Sequence, residues 1–252
     1  MSGMQQMMLG GKRVLIPWVL GATGYRALSS VPLVLALSAN PAPGSLVVAA
    51  CTVMEMTAND SAVFSLTDNF GDGGVGAGGT AWAQVRYGNG TNSTNGTYYK
   101  HNLMWRRLGS NPVTGKDITL TTTSNHSGGY YMLSAVEYQH PGLITFSIAN
   151  GSTGISSDYS APGGVLGLPG SIVVSASMGQ TVTLDDPIFV PTDTTNIGFG
   201  FGVLAGSRQY LASAAPASSI NITGGGNIYD AATGLTPLQT YWACDVGVWV
   251  AT

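Results

Sequence analysis

Charge is the scarcest property of this sequence. Nine of 252 residues are lysine or arginine and twelve are aspartate or glutamate. That 8% is about a third of what an ordinary soluble domain carries. Nine basic residues and a net charge of -3 leave no electrostatic footprint for nucleic acid. Histidine is scarcer still. His101, His126 and His140 lie in separate segments with no second histidine or cysteine at ligand spacing, which argues against a zinc site. The two cysteines, Cys51 and Cys244, are too few to define a redox compartment. They read as buried free thiols, or as a disulfide between the first and last core strands. No segment carries the apolar stripe of a three-turn helix. The apolar run Val14 to Ala22 is interrupted by Pro17 and falls far short of a membrane span. Following Lys12-Arg13 it imitates a signal peptide, but an N-terminal arm, or a first strand, fits it better.

What is abundant is glycine, at 36 residues, together with 12 prolines and a 44% hydrophobic fraction. That apolar content excludes the low-hydrophobicity, high-charge profile of a disordered chain. It is arranged as strands between Gly, Pro and Asn turns. Ser45 to Met56 reads as a long central strand, and Ala62 to Thr67, Thr80 to Tyr87, Thr97 to Leu108, Asp117 to Thr123 and Tyr130 to Tyr138 follow it. Residues 68–79 hold six glycines and read as a loop, as does Asn89 to Gly96. Beyond Leu143 to Ile148, the stretch Asn150 to Gly170 reads as a long Gly/Ser/Pro-rich loop. Ser171 to Ser177 and Gln180 to Leu184 read as a hairpin around Met178-Gly179, and Thr195 to Leu204 as one strand alternating with glycine. In the closing segment, Leu238 to Val250, the even positions Trp242, Cys244, Val246, Val248 and Val250 form an apolar face that is expected to point into the core. So apolar a terminal strand should pair centrally, in a sheet holding early strands. The expectation is an all-β, jelly-roll-like or Greek-key β-sandwich with long loops: residues 1–30 as an N-terminal arm and 31–252 as one sandwich domain.

Chemistry has few places to reside. Gly71 to Gly76 precedes a strand and lacks a following lysine, so it is no phosphate loop. Glu55 and Glu137 are the only glutamates, each inside a strand. They would serve glycoside hydrolysis only if the fold set them at the fixed separation such a pair needs. Asp68, Asp72 and Asp185-Asp186 read as turn residues without the spacing of a calcium loop. No Gly-x-Ser-x-Gly elbow is present. Seven Asn-x-Ser/Thr sequons, among them Asn89 and Asn150, follow from composition. They matter only on a secretory route. No cofactor, metal or catalytic residue is therefore expected. Candidate contact residues are the aromatics Trp18, Tyr25, Tyr98 and Tyr131 and the adjacent pair Arg106 and Arg107, the arginines reading either as an exposed pair or as part of a subunit contact.

Pro43-Gly44-Ser45-Leu46-Val47-Val48, Leu66-Thr67-Asp68-Asn69-Phe70-Gly71-Asp72, Tyr98-Tyr99-Lys100 and Ala135-Val136-Glu137-Tyr138 together resemble the strand and turn segments of tailed-bacteriophage virion proteins, the β-sandwich head decoration, cement or tail-associated subunits. The resemblance covers residues 40–140 and the C-terminal strand. It implies a non-enzymatic virion component present in many copies, a homo-oligomer such as a trimer, with the major capsid protein among its partners and no nucleic acid or membrane. The alternative is a carbohydrate- or receptor-binding module of a phage tail or cell surface, which would need exposed aromatics in a loop-rimmed groove. A glycan-active enzyme is the third reading and depends on the two glutamates.

Overall fold

A computed structural model describes residues 16–55, 63–71, 78–92, 97–123, 130–156, 158–162, 171–179, 183–184, 190–197, 201–209, 221–225, 228–230, 235–238 and 240–252. The described residues are all-β, with antiparallel ladders and no α-helix. Strands are numbered in chain order. A central five-stranded sheet has the order β1 (Val19–Leu28), β8 (Tyr130–Gln139), β3 (Leu46–Glu55), β6 (Thr97–Arg107), β5 (Ala83–Asn92). A three-stranded sheet of β2 (Leu33–Ala36), β7 (Asp117–Thr122) and β4 (Phe64–Asp68) covers one face of it. On the other face lies a second five-stranded sheet, in the order β13 (Val190–Ile197), β14 (Phe201–Gln209), β11 (Ser171–Gly179), β18 (Thr240–Ala251), β9 (Ile144–Ser156). Smaller sheets join β10 (Asp158–Pro162), β15 (Asn221–Gly225) and β12 (Thr183–Leu184), and β16 (Ile228–Asp230) with β17 (Leu235–Leu238).

The central sheet is covered on both sides, and its sequence says why. Leu46 to Val53 and Tyr131 to Tyr138 are continuous runs of buried residues. A half-buried strand alternates; a strand without an outside does not. Parity divides the two runs between two cores. Val47, Ala49, Cys51, Val53, Tyr131, Leu133 and Ala135 pack with Leu33, Leu35, Phe64, Leu66, Ile118 and Leu120 of the three-stranded sheet. Leu46, Val48, Ala50, Met132, Val136 and Tyr138 pack with Trp18, Ile144, Ile172, Val174, Trp249 and Ala251.

Several sequence expectations change. Residues 19–28, assigned to an arm, are β1, paired with β8 from Val19↔Gln139 to Leu28↔Tyr131. Residues 1–15 of that arm lie outside the described residues. Strand β5 runs on to Asn92, into the loop expected over 89–96. Much of the loop expected from Asn150 onward is strand: β9 keeps its ladder with β18 as far as Ser156↔Thr240, because backbone pairing does not require apolar side chains there. The hairpin expected over 171–184 is absent, since β11 pairs with β14 and β18 while β12 pairs with β15. Thr195 to Leu204 is not one strand but the end of β13 and the start of β14, joined in a ladder that closes at Ile197↔Phe201. Its alternating glycines suit either arrangement. The last strand is paired on both sides, next to the edge of its sheet, but its neighbours β11 and β9 come from the second half of the chain and not from the early strands expected. Finally, the odd face of β18 meets the central sheet through Asp245, Gly247, Trp249 and Ala251. Val248 on the even face is also buried, so both parities are covered there, and apolarity alone does not identify the inner face.

Candidate functional site

Strand β6 carries the buried side-chain pairs that reach the facing sheets. It alternates between the two cores, so Arg106 and Asn102 share the face toward β4 and β7, while His101 and Trp105 face β18. Each face carries one buried polar side-chain pair reaching the sheet opposite. Arg106 Nη1 donates to Asp68 Oδ2, at the end of β4, across a short contact. The Trp82 Nε1 donates to the same oxygen at 2.7 Å, and the Phe70 amide donates to Asp68 Oδ1 at 3.2 Å. The guanidinium carbon lies 5.8 Å from the ring centres of both Phe70 and Trp82. Those rings offer their negative faces to the cation. On the opposite face His101 Nδ1 and Asp245 Oδ2 meet in a short buried contact between β6 and β18.

Arg107, of the other parity, serves the loop before β5. Its Nε donates to the Gly78 carbonyl at 3.1 Å and its Nη1 to the Ile144 carbonyl at 3.2 Å. Thr80 closes the arrangement, donating its amide to the Arg107 carbonyl and accepting the Arg107 amide on Oγ1 at 2.9 Å. The expected exposed arginine pair is thus corrected. Arg106 is buried in an ion pair, and Arg107 is half-buried and bound to carbonyls. Both hold the base of the glycine-rich loop.

Glu137 is also internal. Its Oε2 accepts the Ala22 amide at 2.7 Å and its Oε1 accepts the Ala42 amide at 2.6 Å, with Gln139 Nε2 donating to Oε1 at 3.1 Å. Ala22 lies where the β1–β8 register shifts between Leu20 and Thr23, so the carboxylate fills the gap that the bulge opens. Gly21 leaves room for it: a Cβ there would stand 2.2 Å from Glu137 Oε2. The paired-glutamate reading fails on register. Strands β3 and β8 are neighbours, but Glu137 is opposite Val47, eight positions from Glu55 along β3. At about 3.4 Å per residue that is roughly 27 Å, against under about 10 Å for a hydrolytic pair.

Of the other candidate contacts, Trp18 is buried in the aromatic core, its ring 5.0 Å from that of His140. Tyr131 is fully buried in the aliphatic core. Neither is a free surface contact. Tyr25 is half-buried on β1, opposite Ser134. Tyr98 is opposite Glu55 on β6, and its side chain lies outside the described residues. Cys51 is a buried free thiol, its ionisation pushed up by desolvation. Asp68 and Asp245 were not singled out by the sequence reading as ion-pair partners. The signal for Asp245 was a lone acid in an otherwise apolar terminal strand, since a charge in such a place needs a partner.

Among the described residues, no three His, Cys, Asp or Glu side chains converge as a metal site. No family model, curated protein or solved structure matches the chain.

Proposed function

We propose that this chain is a non-enzymatic structural subunit of a virus particle, a capsid decoration or cement protein that works through contacts with other copies and with the capsid shell. The observation that carries the reading is where the ionisable groups go. Arg106, Asp68, His101, Asp245 and Glu137 are buried and bound to one another or to backbone. Two of these contacts tie facing sheets together, and Glu137 ties β8 to β1 and to the turn before β3. A surface from which such charges are withdrawn has little long-range repulsion to keep copies apart. The connectivity suits a Greek-key or jelly-roll relative, since the chain steps from β2 to β3 to β4 and again from β6 to β7 to β8, each time crossing between facing sheets. The resemblance of residues 40–140 to phage virion segments points the same way. A glycan-binding module gains nothing from Trp18, Tyr131, Tyr138 or Trp249, all of which are inside.

The test is direct. Proteomics of purified particles from the source culture should find the chain at a copy number comparable with the shell protein, and light scattering of the purified chain should give a closed oligomer such as a trimer. Absence of the chain from particles would defeat the reading.

A further inference from the structure

Strand β1 is fastened differently from its neighbour. Of its ten residues only Ala22 is buried, and Val19, Leu20 and Arg26 are exposed. Its partner β8 is buried at every position from Tyr131 to Tyr138, and without β1 it would be an apolar strand with an open edge. Main-chain bonding does most of the fastening. The ladder runs along β8, the Ala22 amide donates to the Glu137 carboxylate, and the Thr23 carbonyl accepts the Ser38 amide. Two buried side chains anchor the segment, Ala22 in the aliphatic core and Trp18, just before the strand, in the aromatic one. The link from β1 to β2 is unusual as well. Every connection from β2 to β9 contains glycine or asparagine, the residues that turn a chain back. Ser29-Ser30-Val31-Pro32 contains neither, and it bends without a hydrogen-bonded turn. Ser29, Ser30 and Pro32 are exposed. A residue before proline prefers extended backbone, and a β-branched one suits it well. The sequence of this link therefore favours a straighter path, which would carry β1 away from its own β8.

We infer that β1 is exchanged between copies: in the oligomer, residues 16–28 of one copy lie on β8 of its neighbour, and the bonds just described form across the boundary. The inference rests on the reading of the chain as a many-copy subunit. The acceptor is specific. Strand β8 presents the Glu137 carboxylate to the bulge amide, and His140, just past its end, meets the Trp18 ring at 5.0 Å. Gly21 is required in whichever copy donates, since a Cβ there would stand 2.2 Å from Glu137 Oε2. Exchange keeps each contact and adds a covalent crossing between copies, which makes swapping a low-cost route to an oligomer. A closed arrangement in which each copy gives one strand and receives one leaves no β8 edge open.

Cysteines placed across the ladder test this in the full chain, with Cys51 and Cys244 replaced by alanine. Thr23 is opposite Val136, and Tyr25 is opposite Ser134. Val136 is buried, so a strand in the β1 position is what reaches a cysteine there. Chains carrying Thr23→Cys alone and Val136→Cys alone are co-expressed, purified together and oxidised. The expected product is a disulfide joining one chain of each kind, seen as a doubled mass on a non-reducing gel and located by peptide mapping. Tyr25→Cys with Ser134→Cys should give the same product. Chains carrying both cysteines of a pair should be linked to one another. Double variants bridged only within single chains, with no mixed disulfide from the single variants, overturn the exchange. Light scattering of the same samples separates the two readings. An oligomer whose disulfides stay within single chains defeats the exchange alone, whereas a monomer defeats the many-copy reading with it.

Discussion

The two faces of the central sheet are built from the same strands and differ in kind. One is mainly aliphatic, closed by β2, β4 and β7, whose residues lie between 33 and 122 and interleave with the central strands they cover. The other is aromatic, closed by β9, β11 and β18, whose residues begin at 144. There Trp105 stacks on Phe146 at 5.5 Å, and Trp249 meets Trp105 at 6.0 Å and Phe146 at 5.5 Å. A face covered by neighbouring segments is positioned by short connections and needs mainly shape. A face covered from far along the chain must be registered by its own contacts, and large rings with preferred geometry supply that. Gly247 shows how tight the fit is: a Cβ there would stand 2.4 Å from the Trp249 ring.

The sharpest way to break this comparison is to remove one anchor from each face. Trp249→Ala should cost about 3–5 kcal/mol in denaturant unfolding, toward the upper end for a core truncation. Leu120→Ala, on the aliphatic face, should fall lower in the roughly 2–5 kcal/mol range for its class. Trp249→Phe should cost less than Trp249→Ala, because it keeps a ring and so leaves a smaller cavity, and it discards an indole N–H that is buried without a hydrogen-bond partner. Equal costs for the two alanine variants would erase the distinction between the faces.

The two buried side-chain pairs give the next largest effect. Arg106–Asp68 and His101–Asp245 each cross from β6 to a facing sheet and are nearly excluded from solvent. Removing one member of a buried pair leaves a charge or polar group stranded, so single and double replacements are not additive. A cycle of Arg106→Met with Asp68→Leu, and another of His101→Leu with Asp245→Leu, should each return a coupling of about 1–3 kcal/mol. The coupling should change little between low and high salt, since buried pairs are weakly screened. Near-zero coupling in one cycle would assign the fastening role to the other face alone.

How much of this was legible beforehand depends on what each pattern constrains. The strands β3, β4, β6, β7 and β8 could be read almost to their ends, because each is a β-branched or apolar run bounded by turn residues. Ser45 to Met56 was rightly taken as central: its run from Leu46 to Val53 is apolar on both parities except for Thr52, which implies that it has no solvent face. The same feature hid the inner face of β18, where both parities are apolar and only Asp245, buried against His101, marks the side toward the central sheet. Residues 19–28 contain Gly21-Ala22-Thr23-Gly24 and gave a weak strand signal, since their bulge is completed by Glu137 from a hundred residues away. The arginine pair was visible as a motif but not as a structural one, because its partners Asp68 and the Gly78 and Ile144 carbonyls come from separate segments.

The smallest effect distinguishes the faces most cleanly. Cys51 lies on the aliphatic side, and desolvation pushes its thiol above the ordinary value. The folded chain therefore holds this proton at pH values where the unfolded chain releases it. Stability from this source is complete below the ordinary thiol range and declines as pH rises through it, by up to about 1.4 kcal/mol per pH unit. Cys51→Ala should remove that slope, measured as the change in unfolding midpoint between pH 8 and pH 10, while leaving any contribution from Cys244 in place. The same thiol reports which face opens. Its labelling by an aromatic disulfide reagent should accelerate more in Leu120→Ala than in Trp249→Ala, because only the first variant loosens the core in which Cys51 is packed. Faster labelling in Trp249→Ala would mean that the two cores open as one unit and that the aromatic face controls both.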